Sequence, residues 1–142
     1  MLRSLWIRWV SQRREKPSRG ESGERLAEHY LKKEQGFQLV ARNWRNPRDR
    51  REEIDLVMRD GQILVFIEVK TRSADALVPG FHAVDDRKKK VLRRAIAAYL
   101  RGLEAAPITH RCDVVEVRWP TGEESGSPEV LHFANVKLHR KR

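Results

Sequence analysis

The sequence predicts an α/β fold in which helices flank a β-sheet, and three patterns support this prediction. Residues 53–70 contain two aliphatic runs separated by Asp60-Gly61, a dipeptide that supplies the positive φ angles of a two-residue hairpin turn. Amphipathic segments with apolar residues at helical spacing lie before and after this hairpin. Short alternating segments indicate further strands. The two predicted helices span residues 18–36 and 85–103, and the three additional strands lie near 37–41, 112–117 and 130–136.

The two faces of the predicted hairpin differ in character. If Asp60 and Gly61 form the loop, Arg59 pairs with Gln62, and directly opposed residues share a face. One face is then entirely apolar and consists of Ile54, Leu56, Met58, Ile63, Val65, Ile67 and Val69. The other face mixes charged and apolar residues, namely Glu53, Asp55, Val57, Leu64, Phe66, Glu68 and Lys70.

The charged residues of the mixed face suggest a metal site. In the predicted register Glu53 opposes Glu68, and Asp55 lies diagonal to Glu68 at a Cβ separation of about 7–8 Å. A divalent cation such as Mg²⁺ would remove the repulsion between these carboxylates and keep positions open for water and phosphate. Lys70 could orient an attacking water or neutralise charge on a phosphoryl group. The ordinary alternative is a solvent-facing strand with a Glu/Lys ion pair.

Several segments, in a fixed order, carry a resemblance to a known family. They are Gly23-Glu24 at the start of a helix, Glu53-Ile54-Asp55-Leu56, Phe66-Ile67-Glu68-Val69-Lys70-Thr71-Arg72, a basic helix with Lys88, and Arg111-Cys112-Asp113-Val114. Together they resemble the YraN-like family of bacterial proteins, which is assigned to the PD-(D/E)XK nuclease superfamily and is similar to archaeal Holliday-junction resolvases. The resemblance extends from about Gly20 to Asn135.

The resemblance implies a restriction-endonuclease-like core, with a central mixed β-sheet flanked by helices, that cuts DNA with Mg²⁺ or Mn²⁺. Asp55 and Glu68 would hold the metal with the carbonyl of Val69, Glu24 would reach in from the first helix, and Lys70 would assist the attacking water. Glu53 is a further candidate ligand.

Two residues depart from the family pattern. Glu52 stands where a glycine is expected before the acidic strand, and Cys112 stands where an aromatic residue is expected. Glu52 affects the expected start of the strand more than the chemistry.

The charge of the chain is concentrated at its ends. The net charge is +10, of which residues 1–20 contribute +5 and residues 137–142 contribute +4, so that residues 21–136 carry only +1. The high isoelectric point is therefore weak support for a DNA-binding core, and local clusters must carry that inference.

Two local basic clusters are candidate nucleic-acid contacts. Residues 42–51 hold five arginines and one aspartate, and Trp44 among them would either stack on a base or pack inward. The helix at 85–103 carries a second basic surface, although most charge runs of this kind are solvated faces. The candidate contact residues are Arg45, Arg72, Arg87, Lys88, Lys89 and Arg93.

Three regions are expected along the chain: a basic amphipathic extension at 1–19, a nuclease-like domain at 20–136 and a basic tail at 137–142. The extension could lie on an anionic membrane surface, follow DNA phosphates, or act as a mitochondrial transit peptide, which it resembles in composition. The longest apolar run, 63–67, is too short to span a membrane. The single Cys112 is expected to be buried, and a reducing cytoplasm is the expected compartment.

Two functional hypotheses follow. The first is a Mg²⁺-dependent DNA endonuclease acting on branched DNA, for which two-fold symmetry would require a homodimer. The alternative is a noncatalytic nucleic-acid-binding accessory protein of a helicase or recombination complex, in which Lys88 and its neighbours matter and the carboxylates do not.

Overall fold

A mixed β-sheet with one helix on each face forms the described part of the chain. The structure is a computed structural model that describes residues 19–73, 84–107, 109–121 and 126–139. Within these residues the elements are α1 (Arg19–Gln35), β1 (Gln38–Asn46), β2 (Asp49–Asp60), β3 (Ile63–Ser73), α2 (Asp86–Arg101), β4 (Thr109–Trp119) and β5 (Glu129–Phe133). No helix in these ranges is both long and apolar enough to cross a membrane.

The strands lie in the sheet in their sequence order, β1 to β5. Neighbouring strands are antiparallel except for β3 and β4, which pair in parallel over their whole length from Ile63 with Thr109 to Ser73 with Trp119. The chain between these two strands contains α2, as a parallel crossover requires. The α/β prediction with a mixed sheet flanked by helices is confirmed, and the architecture is compatible with a restriction-endonuclease-like core.

Each helix covers a separate apolar cluster on its own side of the sheet. The cluster under α1 contains the buried residues Leu26, Ala27, Leu31, Phe37, Leu56, Met58, Val65, Ile67, Val115, Val117 and Trp119. The cluster under α2 contains Ile54, Val57, Leu64, Phe66, Val84, Leu92, Ala95, Ile96, Cys112, Val114 and Leu138. Alternate positions of β3 and β4 therefore point into different clusters, as the pleat of a doubly covered sheet requires.

The hairpin turn lies one residue later than the sequence analysis predicts. Asp60 pairs with Ile63, so the loop consists of Gly61 and Gln62, and the predicted pairing of Arg59 with Gln62 is wrong. Gly61 has a φ of +60°, which suits the first loop position of a type II′ turn. Each residue of β2 pairs with a β3 residue two positions later than predicted. Because side chains alternate with a period of two, this shift leaves the paired side chains on their predicted faces.

One residue of the hairpin lies on the opposite face from its prediction. Ile54 packs into the cluster under α2, whereas Leu56 packs into the cluster under α1. In the neighbouring β1, Asn43 has a φ of +49°, and Trp44 beyond it also packs on the α2 side. The alternation of both strands is thus interrupted at the same level, near Asn43 in β1 and near Asp55 in β2.

The arginine-rich segment forms the paired ends of β1 and β2 and the turn that joins them. Trp44 packs inward against Tyr99 of α2, with ring centroids 5.3 Å apart and an interplanar angle of 79°. Of the two alternatives for Trp44, inward packing is therefore the one found.

Both helices occur where the sequence predicts them. Asp85 caps α2, because its carboxylate accepts a hydrogen bond from the amide of Lys88 at 2.8 Å. Residues 1–18 of the extension predicted at 1–19, which include the predicted start of α1 at Ser18, lie outside the described residues, as do residues 140–142 of the tail predicted at 137–142.

Gly23 allows α1 to approach β3 closely. A Cβ atom at this position would lie 2.4 Å from the hydroxyl oxygen of Thr71, well inside van der Waals contact. The missing side chain therefore sets the separation between the start of α1 and β3, and it brings the adjacent Glu24 toward the end of the hairpin.

We expect Gly23→Ala to destabilise the protein by about 1–2 kcal/mol, since the clash with Thr71 outweighs the gain of about 1 kcal/mol in helix propensity. The double variant Gly23→Ala/Thr71→Ala should recover most of this loss in a urea-unfolding double-mutant cycle. A single Gly23→Ala variant at least as stable as wild type would contradict the close contact.

Candidate metal-binding site

The candidate site lies where β2 separates from β3. The last regular pair of these strands is Leu56 with Ile67. Beyond it, the Asp55 carboxylate accepts a hydrogen bond from the amide N–H of Val69 at 2.8 Å, so a side chain takes the place of the backbone ladder. The negative charge of Glu68 acts on Asp55, so the two carboxylates are neighbours here. Their predicted diagonal relation stays a prediction, because the regular pairing ends before Asp55.

Glu68 is a buried carboxylate with two very different oxygens. Its side chain is only 5% exposed, and Oε1 lies 3.4 Å from Nζ of Lys70 and 3.3 Å from Nζ of Lys88. Oε2 is buried without a hydrogen-bond partner. A buried charged oxygen without a partner is costly, and such groups in folded proteins generally have a functional or ligand-related explanation.

Asp55 is held in a form that resists ionisation. Burial, followed by the negative charges of Glu68 and Glu24, raises the pKa of Asp55 to about 8, although the amide of Val69 and the charge of Lys88 act in the opposite direction. Near neutral pH the isolated protein therefore favours one proton on this carboxyl group. A cation bound beside Asp55 would favour its ionised form.

Glu24 approaches the pair from the first turns of α1. Burial, and then the negative charges of Glu53, Glu21 and Glu68, raise the pKa of Glu24. The Glu24 carboxyl group therefore interacts electrostatically with the acids of the site. Within the described ranges, no three Asp, Glu, His or Cys side chains converge into a ready-made metal site. A cation would therefore rely mainly on two carboxylates, and ligation by Glu24 stays a prediction.

The donor set nevertheless fits a hard divalent cation. Mg²⁺ is commonly bound by one or two carboxylates, with waters and substrate phosphates as its remaining ligands. The neighbouring carboxylates of Asp55 and Glu68 match this pattern, and the oxygen of Glu68 without a hydrogen-bond partner supplies a vacant donor. The carbonyl of Val69 is the third candidate donor.

The polar face continues beyond Lys70 into a charged layer that sequence analysis did not identify. Lys70 is paired in register with Glu116 of β4, which is fully buried. The Glu116 carboxylate lies 3.9 Å from Nε of Arg72 and 3.3 Å from Nε of Arg118. An acidic residue at an interior position of an otherwise apolar strand was the available signal, because buried acids are rare unless they are paired.

A second buried acid lies on the α1 side of the sheet and was also missed. Asp113 accepts hydrogen bonds from Nε of Arg111 at 3.0 Å and from the amide of Asn135 at 2.9 Å, and Nε2 of His132 lies 2.8 Å away. Burial alone would raise the pKa of Asp113, but the bonds to His132 and Arg111 outweigh it and lower the pKa. This network ties β5 and the segment after it to β4.

Cys112 has no role in the site chemistry. It is buried, as expected, and burial followed by the charges of Glu68 and Asp113 raises the pKa of its thiol to about 12. The thiol is therefore protonated at neutral pH and is a poor nucleophile.

The candidate nucleic-acid contacts are not all brought to the site. Lys88 reaches Glu68, and Arg72 lies beside Glu116 in the adjoining charged layer. Arg45 pairs with Glu53 across the edge hairpin at 3.1 Å, and Arg93 donates to the backbone carbonyl of Leu138. The remaining two, Arg87 and Lys89, lie in the first turn of α2, where Arg87 is exposed and Lys89 is partly buried.

Comparison with known proteins identifies the family. A family model described as uncharacterised protein family UPF0102 matches residues 23–117, a range that contains both carboxylates and both lysines of the site. The chain belongs to the UPF0102 family. A UPF0102 protein of Beutenbergia cavernae is 42% identical over 123 residues, covering 87% of this chain and 98% of its own length.

Further UPF0102 relatives agree with this assignment. The protein of Chlorobaculum parvum is 41% identical over 98 residues, covering 69% of this chain and 73% of its own length. That of an Arthrobacter species is 40% identical over 117 residues, covering 82% of this chain and 93% of its own length.

We expect Asp55→Asn to change how the stability of the metal-free protein depends on pH. The folded-state pKa of about 8 exceeds the unfolded value of 3.8, so the wild type loses stability as pH rises between these values. The variant keeps an acceptor for the Val69 amide but carries no charge. Between pH 5 and pH 9 its free energy of unfolding should gain about 1–3 kcal/mol relative to wild type, as measured by urea unfolding in EDTA.

Asp49→Asn is the matched control, because hydrogen bonds from Arg51 lower the pKa of Asp49 and keep it charged throughout this pH range. Its unfolding curves should run parallel to those of wild type. Parallel curves for Asp55→Asn as well would contradict the raised pKa.

Proposed function

We propose that this UPF0102 protein is a metal-dependent DNA endonuclease that hydrolyses phosphodiester bonds with Mg²⁺ or Mn²⁺. The observation that carries the proposal is the buried Glu68 carboxylate, whose charge acts on Asp55 and which has one oxygen near two lysines and the other without a hydrogen-bond partner. Neighbouring acids flanked by amines are a combination that binds a cation and a phosphate group together.

The residues of the site have separate roles in this proposal. Asp55 and Glu68 hold the metal, which when bound polarises the scissile phosphate and lowers the pKa of a water. The Val69 amide fixes the orientation of the Asp55 carboxylate. Lys70, whose ammonium is partly exposed beside Glu68, positions the attacking water or stabilises negative charge on the phosphate. Lys88, on α2, neutralises part of the negative charge of Glu68.

We also propose a superfamily and a substrate for the protein. The ordered segments that include Glu24, Asp55 and Glu68-Val69-Lys70 support membership in the YraN-like branch of the PD-(D/E)XK superfamily. By that resemblance the substrate is branched DNA of the Holliday-junction type, the active form is a homodimer, and the compartment is the cytoplasm.

A noncatalytic nucleic-acid-binding role, as an accessory protein in recombination, is the second candidate. It is favoured by the contacts of Lys70 and Lys88, which already neutralise part of the charge of Glu68. This role requires binding that weakens with salt, needs no metal and survives Asp55→Asn.

Mg²⁺ should raise the melting temperature of the wild type. At a metal concentration ten times the dissociation constant, the stabilisation is about 1.4 kcal/mol, which corresponds to a shift of about 3–6 °C for a domain of this size. Asp55→Asn and Glu68→Gln should abolish the shift, whereas Asp49→Asn should retain it. Calorimetric titration of Mn²⁺ gives an independent measurement, and equal shifts for all four proteins would refute the metal site.

Cleavage of branched, duplex and single-stranded DNA tests the activity itself. We expect Asp55→Asn, Glu68→Gln and Lys70→Ala each to lower the rate at least about a hundredfold, because each removes a group that acts on the transition state. Lys33→Ala, on the exposed side of α1, should cut as wild type does, and EDTA should stop all cutting.

Two results of the cleavage assay would reject the endonuclease. Equal residual cutting by wild type and all variants would indicate a contaminant. Absence of cutting by the wild type, together with salt-sensitive binding that needs no metal, would favour the accessory role.

A further inference from the structure

A groove of about 920 Å³ runs along α2, on the same side of the sheet as the candidate site. One wall is α2 and the other is formed by the start of β4 and by residues 135–139, which follow β5. We call it the α2 groove. Its volume lies near the upper end of the range for ligand sites in proteins.

The lining of the α2 groove is basic and contains no Asp or Glu. Arg111 directs its guanidinium to Asp60 and Asp113 on the α1 side of the sheet, and Arg93 donates to the carbonyl of Leu138. Lys90 on α2 and Lys137 on the facing wall are exposed, and neither lies within 4 Å of a carboxylate in the described ranges. The groove thus presents positive charge from both walls.

The floor of the α2 groove is apolar and includes Ile96, Ala97, Leu100 and Val136. Basic walls over an apolar floor suit a ligand that combines phosphates with flat apolar rings. The bases of a duplex are stacked and paired, so only its phosphates would meet this lining. An unpaired strand exposes the faces of its bases, and single-strand grooves in general combine positive charge with surfaces that accept those faces.

The α2 groove also leads toward the carboxylates. Cys112, in its lining, pairs with Phe66, which lies two residues before Glu68 on the same face and therefore about 7 Å from it along the strand.

We propose that the α2 groove binds an unpaired strand of nucleic acid, with phosphates on Lys90 and Lys137 and base faces on the floor. Delivery of that strand to Asp55 and Glu68 rests on the proposed endonuclease function, whereas the binding itself does not. The substrate would then be a branched or flapped structure with a single-stranded arm.

The charged walls are tested by fluorescence anisotropy of a labelled single-stranded oligonucleotide with the full chain in EDTA. Each phosphate contact on a single strand contributes about 0.7 to the slope of log affinity against log salt. Lys90→Gln and Lys137→Gln should each lower that slope by about 0.7 and weaken binding about fivefold at 0.1 M salt. Lys33→Gln, on the exposed surface of α1, should change affinity less than twofold.

The floor is tested by a matched pair of variants in α2. Ala97 lines the α2 groove and its neighbour Ala98 does not, although both are partly exposed. Ala97→Glu should weaken single-strand binding more than tenfold, because it places a carboxylate among the bases, whereas Ala98→Glu should weaken it about twofold through net charge alone. Melting curves establish that each variant is folded.

The results separate this inference from its competitors and from the proposed function. Three results would each overturn it. The first is an equal loss of single-strand affinity for Ala97→Glu and Ala98→Glu. The second is the same loss of affinity for a blunt duplex as for the single strand, and the third is displacement of the strand by a polyglutamate peptide as effectively as by unlabelled single strand. Strand binding by the wild type in EDTA, without cleavage in Mg²⁺, would retain the α2 groove and reject the endonuclease. Conversely, absence of strand binding with an intact Mg²⁺ melting shift would reject the α2 groove and retain the metal site.

Discussion

The electrostatic repulsion between the Asp55 and Glu68 carboxylates is the constraint on which the candidate site depends. Two carboxylates are brought together where β2 leaves β3, and burial makes their repulsion strong. Three features reduce this repulsion. Asp55 favours its protonated form, the Val69 amide donates a hydrogen bond to the Asp55 carboxylate, and the ammonium groups of Lys70 and Lys88 lie near one oxygen of Glu68. The other oxygen of Glu68 has no hydrogen-bond partner, and the same holds for both oxygens of the buried Glu116 in the adjoining layer. The second carboxylate beside it, that of Asp55, distinguishes Glu68 from an ordinary ion pair on a strand.

The two helices contribute to the site through their N-terminal ends. Gly23 lets α1 come close enough to β3 for Glu24 to add its charge, while α2 directs Lys88 onto Glu68. The same sheet face then continues through Lys70 to the buried acid Glu116 and its arginines. Charge thus alternates along the face, which keeps each buried group near an opposite partner.

The fold was largely predictable from the sequence because its elements have strong local signals. The Asp85 cap, the amphipathic stripes and the Gly61 turn belong to short segments whose residues specify them. The one-residue displacement of the turn did not change the faces of the paired side chains, because the register moved by two positions along β3. The face of Ile54 was not predictable in the same way. It packs under α2 at the level where Asn43 of the neighbouring strand has a positive φ, and no local pattern in β2 indicates this.

The parts of the site that sequence analysis missed depend on the parallel pairing of β3 with β4. Glu116 and Asp113 lie far along the chain from the hairpin, and no local pattern states which strand they join or in which register. Only that pairing brings Glu116 beside Lys70, and only the path of the segment after β5 brings Asn135 onto Asp113. Long-range register is the information that a single sequence conveys least.

The parallel pairing also has a consequence for the order in which the protein assembles. The hairpin of β2 and β3 closes a two-residue loop, whereas β3 and β4 meet only after the whole of α2 has been accommodated. Short loops close with the smaller entropy loss, and contacts between distant segments generally form late. The two acids of the hairpin are therefore expected to meet in water, before Lys88 can reach them. The negative charge of Glu68 is then neutralised by Lys88 only when α2 packs onto the sheet. The site is therefore complete only when the fold is complete.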